Sequence, residues 1–111
     1  MAIINTDIES SNTTIYSSSG NNAITTVIIC NTTQFDPLNP TAGETKLFLY
    51  AVPNGITVSN TQLIVNGLPI PAGETVMFDQ EKMVLSDGDA LVATTDVYPA
   101  TLVATVSTLA V

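Results

Sequence analysis

Histidine and tryptophan are absent from this chain, and Lys46 and Lys82 are its only positive side chains. Without histidine there is no Ser-His-Asp triad, no Cys-His dyad and no histidine general base. Zinc sites built from Cys and His are excluded with them. Two lysines cannot form the basic cluster that a phosphate backbone requires, so no nucleic acid is expected as a partner. Anionic membrane surfaces are disfavoured for the same reason. Cys30 is the single cysteine and cannot close an internal disulfide. The opening Met1-Ala2-Ile3-Ile4-Asn5 shows neither a basic n-region nor a long apolar h-region, so no export signal is expected. Synthesis in a reducing cytoplasm fits both observations. No stretch approaches the ~18 apolar residues of a membrane helix.

Charge of either sign is scarce. Asp, Glu, Lys and Arg make up 11% of the 111 residues, where roughly 25% is usual for a soluble domain. Hydrophobic residues account for 45% and the net charge is −8, so any charged partner is expected to be basic. Thr, Ser and Asn must cover the surface, and a surface of that kind is poorly defended against association. The composition therefore points to a subunit packed against others. A chain of this length fits one domain, and folding buries about 65% of the unfolded chain's surface at this size.

The order along the chain is that of a β protein. Residues 1–12 read as an N-terminal arm, with Ile3, Ile4 and Ile8 too apolar for a solvated tail and suited to docking on a neighbouring subunit. A domain over residues 13–111 follows. Strands are expected at Thr13–Ser17, Ala23–Thr33, Thr45–Val52, Thr61–Asn66, Thr75–Phe78, Lys82–Leu85, Ala90–Thr94 and Ala100–Leu109. β-Branched residues dominate them, and Gly, Pro, Asn and Asp mark the joins. Asn66-Gly67 is the strongest two-residue hairpin signal. Leu68-Pro69-Ile70-Pro71 belongs at a sheet edge or in a crossover, because proline removes a ladder donor. Short strands at intervals of roughly 8–12 residues, with no helical periodicity, imply an all-β fold. A single small β-sandwich of about eight antiparallel strands, Ig-like or jelly-roll-like, is expected.

The expected inward set is Ile24, Ile28, Leu47, Leu49, Leu63, Val65, Val76, Phe78, Leu85, Leu91, Leu102 and Val106. Ala23–Cys30 and Thr45–Val52 are apolar on both faces. Their second faces, through Val27, Ile29, Phe48 and Tyr50, are the expected contact surface together with Ile3, Ile4 and Ile8, since large exposed apolar patches are rare on monomers.

Motifs with chemistry are few, and no catalytic residue, metal ligand or cofactor site is expected. Gly43-Glu44-Thr45-Lys46 lacks the order of a phosphate loop and precedes an expected strand. Asp79, Glu81, Asp87 and Asp89 offer oxygen ligands for Ca²⁺, but aspartate in turns is explained by its side chain bonding nearby backbone N–H groups. A paired-carboxylate glycosidase would need a deep cleft with aromatic platforms, and aromatics are 5% of the chain. Cys30 is expected to pack as a small hydrophobe in the core. Asn12-Thr13-Thr14 and Asn31-Thr32-Thr33 match the glycosylation pattern and read as chance in a threonine-rich strand protein.

Two stretches, Ala23 to Thr33 and Lys46 to Pro53, resemble small virion proteins of tailed bacteriophages. So do Pro69 to Thr75, Val84 to Asp89 and Val103 to Ser107. The resemblance spans about residues 20–110 and rests on the order of patterns. It implies an all-β accessory structural protein of the virion, assembled in the host cytoplasm, without enzymatic activity. The implied role is a capsid decoration (cement) protein, a homo-oligomer with a trimer favoured, seated on the major capsid protein or other virion subunits. A neck, tail-completion or fibre-anchoring role is the structural alternative. A glycan-binding module is the alternative of another class, with Tyr16, Tyr50 and Tyr98 as the available platforms.

Overall fold

Threonine, isoleucine and valine are stiff at χ1 and suit a pleated surface. They fill the strands of the computed structural model, which describes residues 2–78, 83–96 and 101–111. Among the described residues there are nine strands: β1 (Ala2–Ile8), β2 (Thr13–Ser17), β3 (Asn22–Asn31), β4 (Thr45–Val52), β5 (Leu63–Ile70), β6 (Thr75–Phe78), β7 (Met83–Leu85), β8 (Ala90–Thr95) and β9 (Leu102–Ala110). One turn of 3-10 helix, Asn60–Gln62, precedes β5 and is closed by a Ser59–Gln62 capping box. The fold is all-β, as expected.

Two antiparallel sheets pack face to face as a sandwich. The first has the order β1-β9-β3-β6, with β7 also pairing β3; the second has the order β2-β8-β4-β5. β6 lies beside Val27–Cys30 and β7 beside Asn22–Ile24. The two short strands thus share one edge position. Most connections pass from one sheet to the other, while β4 and β5 are neighbours in the same sheet.

Three expectations are corrected by the pairing. The segment expected as an N-terminal arm is largely β1, which pairs residue for residue with β9 from Ala2↔Thr108 to Ile8↔Leu102. Its alternation places Ile4 against the core and Ile8 fully inside it. Asn66-Gly67 does not turn the chain: β5 runs through it. A type I′ hairpin needs positive φ at both central residues, whereas only Gly67 has it, at 72°. The register against β4 shifts there, between Leu47↔Leu68 and Phe48↔Asn66. Asn-Gly is used as a glycine bulge on an edge strand, and Pro69 sits on that same edge, as its missing N–H demands.

The third correction lies in β3. Its register against β9 slips between Ile24 and Thr26, and one extra residue reverses which side chains face inward. Ile24 is buried, but beyond the bulge Val27 and Ile29 take the core positions. Ile28, expected inside, and Cys30, expected in the core, fall on the outer face and are only half-buried.

The core runs between the sheets. Ile8, Ile15, Val27, Ile29, Leu47, Ile70, Leu91, Leu102 and Val106 are its largest fully buried apolar side chains. Of the expected inward set, Ile24, Leu47, Leu49, Leu85, Leu91, Leu102 and Val106 are buried, and Val65, Val76 and Phe78 pack against the cluster. Leu63 stands opposite Tyr50 on the outer side of the second sheet. Buried Asn31 ties three segments together at the end of β3. Its amide donates to the carbonyls of Gly43 (2.8 Å) and Ile70 (2.9 Å), and its Oδ1 accepts from the Thr33 N–H (3.0 Å).

Candidate functional site

The outer face of the first sheet is built by cross-strand rows. One row runs Asn5, Thr105, Ile28, Met77, and the next Asp7, Val103, Cys30, Thr75. Ile3 lies beside Ser107, and Leu109 and Val84 flank Ala23. Hydroxyls cross-link the rows: Thr105 Oγ1 donates to Asn5 Oδ1 (2.8 Å) and Thr25 Oγ1 donates to the Ser107 carbonyl (3.0 Å). Between these polar ties, Ile3 (68%), Val84 (66%), Met77 (55%) and Leu109 (47%) are exposed to solvent.

The outer face of the second sheet carries two aromatics. Tyr50 stands between Val92 of β8 and Leu63 of β5, and Phe48 between Thr94 and Asn66. Both rings are half-buried. The Phe48 ring lies beside Gly67, 3.5 Å from the ideal Cβ position, an ordinary contact distance; what calls for glycine there is its positive φ of 72°. A third apolar feature is the loop between β3 and β4, where Leu38 is 94% exposed. Asp36 holds that loop in shape by accepting the Leu38 N–H on Oδ1.

Of the residues expected to make contacts, Ile3, Phe48 and Tyr50 are at the surface. Ile4 is half-buried against the core. Ile8, Val27 and Ile29 are inside and cannot meet a partner. Ile28, Met77, Val84 and Leu109 belong to the surface set and were missed. Alternation from the expected inward residues Val76, Leu85 and Val106 already turns Met77, Val84 and Leu109 outward, whereas Ile28 follows only once the bulge in β3 is known.

A hollow of about 330 Å³ opens between the sheets, lined by Ile24, Val27, Leu49, Ile64, Val65, Phe78 and Met83. Small-molecule sites combine an apolar wall with a few convergent polar groups. Every side chain lining this hollow is apolar, so none would orient a polar substrate.

The acidic turn between β7 and β8 is occupied by its own backbone. Asp89 accepts from the N–H groups of Asn54 (2.9 Å) and Ser86 (3.0 Å), and Asp87 from Gly20 (2.8 Å). Both aspartates hold turns, as side chains in such positions do. Asp79 and Glu81 lie outside the described residues, as do Lys82 and Tyr98. Among the described residues no three His, Cys, Asp or Glu side chains converge as a metal site, and no helix is long and apolar enough to cross a membrane. Strand β4 begins immediately after Glu44, which is not the helix a phosphate loop requires. Of the two glycosylation patterns, Asn31 has its amide wholly engaged inside the protein, whereas Asn12 is exposed.

Comparison with protein-family models, with curated proteins and with solved structures finds no match to this chain.

Proposed function

We propose that this chain is a non-enzymatic structural subunit of a virus particle, in the manner of a bacteriophage capsid decoration protein. The observation that carries the reading is the exposed set Ile3, Met77, Val84 and Leu109 on one sheet face, in a chain with 11% charged residues. Exposed apolar residues sharing one sheet face support a contact surface there. The strand order adds support. We read the layers β1-β9-β3-β6/β7 and β2-β8-β4-β5 as jelly-roll-like, an arrangement that recurs in viral capsid and lectin domains.

The lectin reading is weaker on aromatic grounds. Tyr16 is buried, leaving Tyr50 as the described tyrosine with an accessible ring. Stabilisation of a shell would come from many modest contacts multiplied by symmetry and effective concentration.

The test is quantification of this chain against the major capsid protein in purified particles, with binding measured on expanded and unexpanded shells. Decoration predicts hundreds of copies and selectivity for expanded shells. A copy number in sixes or twelves moves the assignment to the neck or tail. Absence from particles sinks the structural reading.

A further inference from the structure

Every open sandwich has four sheet edges, and proteins guard them with proline, lysine, bulges or shortness. Three of the edges here are guarded. β5 has Gly67, Pro69 and two register shifts. β2 is broken by a shift between Thr14 and Tyr16. β6 and β7 have four and three residues. β1 is different: seven residues, regular register throughout, no proline and no lysine. Its far side pairs with no strand among the described residues.

We propose that β1 is a self-association edge, pairing antiparallel with β1 of a second copy so that the first sheet continues across a two-fold axis. The proposal rests on the assembly reading above and names one partner within it. The register follows from the sequence. Pairing all seven residues puts Asn5 on the axis, opposite the partner's Asn5. Ile3 then faces the partner's Asp7, and Ile4 the partner's Thr6. Odd residues meet odd and even meet even, so the outer and inner faces of the sheet both continue unbroken.

The charges permit it. Asp7 is the one ionised side chain of the strand. In this register it stands four residues from the partner's Asp7, ~14 Å at about 3.4 Å per residue. That exceeds the Debye length of ~8 Å at physiological salt. A two-fold contact of one patch with itself closes as a dimer. A trimer would instead need β1 to meet a different edge, and each of those is guarded.

Substitution at the axis tests this directly. Asn5→Asp is nearly isosteric, keeps an oxygen for the Thr105 hydroxyl, and sets two carboxylates face to face. Sedimentation should show a wild-type dimer, with Asn5→Asp raising its Kd about fivefold and 0.5 M salt recovering part of the loss. Asn5→Lys should act the same way. In a Cys30→Ser background, oxidation should cross-link Asn5→Cys and leave Ile3→Cys uncoupled. A wild-type monomer at about 1 mM, or cross-linking at position 3 but not at 5, overturns the proposal. A monomer that still binds particles removes this inference and spares the assembly reading; a dimer absent from particles does the reverse.

Discussion

Single side chains decide the inside of this protein more sharply than its hydropathy suggests. Ile28 and Ile29 are chemically identical neighbours, yet Ile29 is fully buried and Ile28 shares an outer row with Met77. Ile29→Ala should therefore cost about 2–5 kcal/mol, the usual range for truncating a buried isoleucine. Ile28→Ala should cost less than about 1 kcal/mol, because its half-exposed site leaves no closed cavity. Urea unfolding of the two variants checks the pair, and equal losses would contradict the bulge in β3. Asn31 makes a second such point. Asn31→Ala removes a donor from the Gly43 and Ile70 carbonyls and the acceptor of the Thr33 N–H. A loss of about 2–3 kcal/mol is expected, seen as a lower denaturation midpoint with unchanged m-value.

Among the elements, β1 contributes most beyond what its composition promised. Its seven pairs with β9 and the burial of Ile8 make it part of the sandwich. Deleting residues 1–8 should lower Tm by at least about 10 °C, since each kcal/mol shifts a domain of this size by about 4–8 °C. A solvated arm could be removed with no change in the melting curve, and calorimetry separates the two cases. The turn between β7 and β8 gives a contrasting test. Asp89→Ala removes the acceptor for Asn54 and Ser86 and should cost about 1–2 kcal/mol. Adding Ca²⁺ should not restabilise wild type, because those oxygens already hold backbone N–H groups.

Across the whole molecule, a net charge of −8 on 111 residues sets copies against one another, whereas the proposed self-association would draw them together through the β1 edge and exposed apolar residues. Salt screens the first effect and leaves the second. Self-association should thus strengthen several-fold between about 10 mM and 500 mM salt, measurable by light scattering across that series. Weakening with salt would mean that ion pairs, not sheet edges and apolar faces, hold the assembly.

Much of the architecture was legible because strand chemistry is local. β-Branched runs and turn residues located β2, β4, β6 and β8 closely, and the absence of histidine and of a basic cluster bounded the chemistry without any fold. Phe48 and Tyr50 were placed on an outer face by period-2 alternation alone, which holds wherever a strand such as β4 keeps its inner residues in phase. Register was decided only in three dimensions. One inserted residue at Thr25 exchanged Ile28 for Val27 and Ile29. Asn66-Gly67 became a bulge because β4 was beside it to pair with, and Ala2–Ile8 became a strand because β9 offered an edge. Local sequence sets which residues prefer an extended backbone. Which face they turn to the core depends on hydrogen-bond partners tens of residues away.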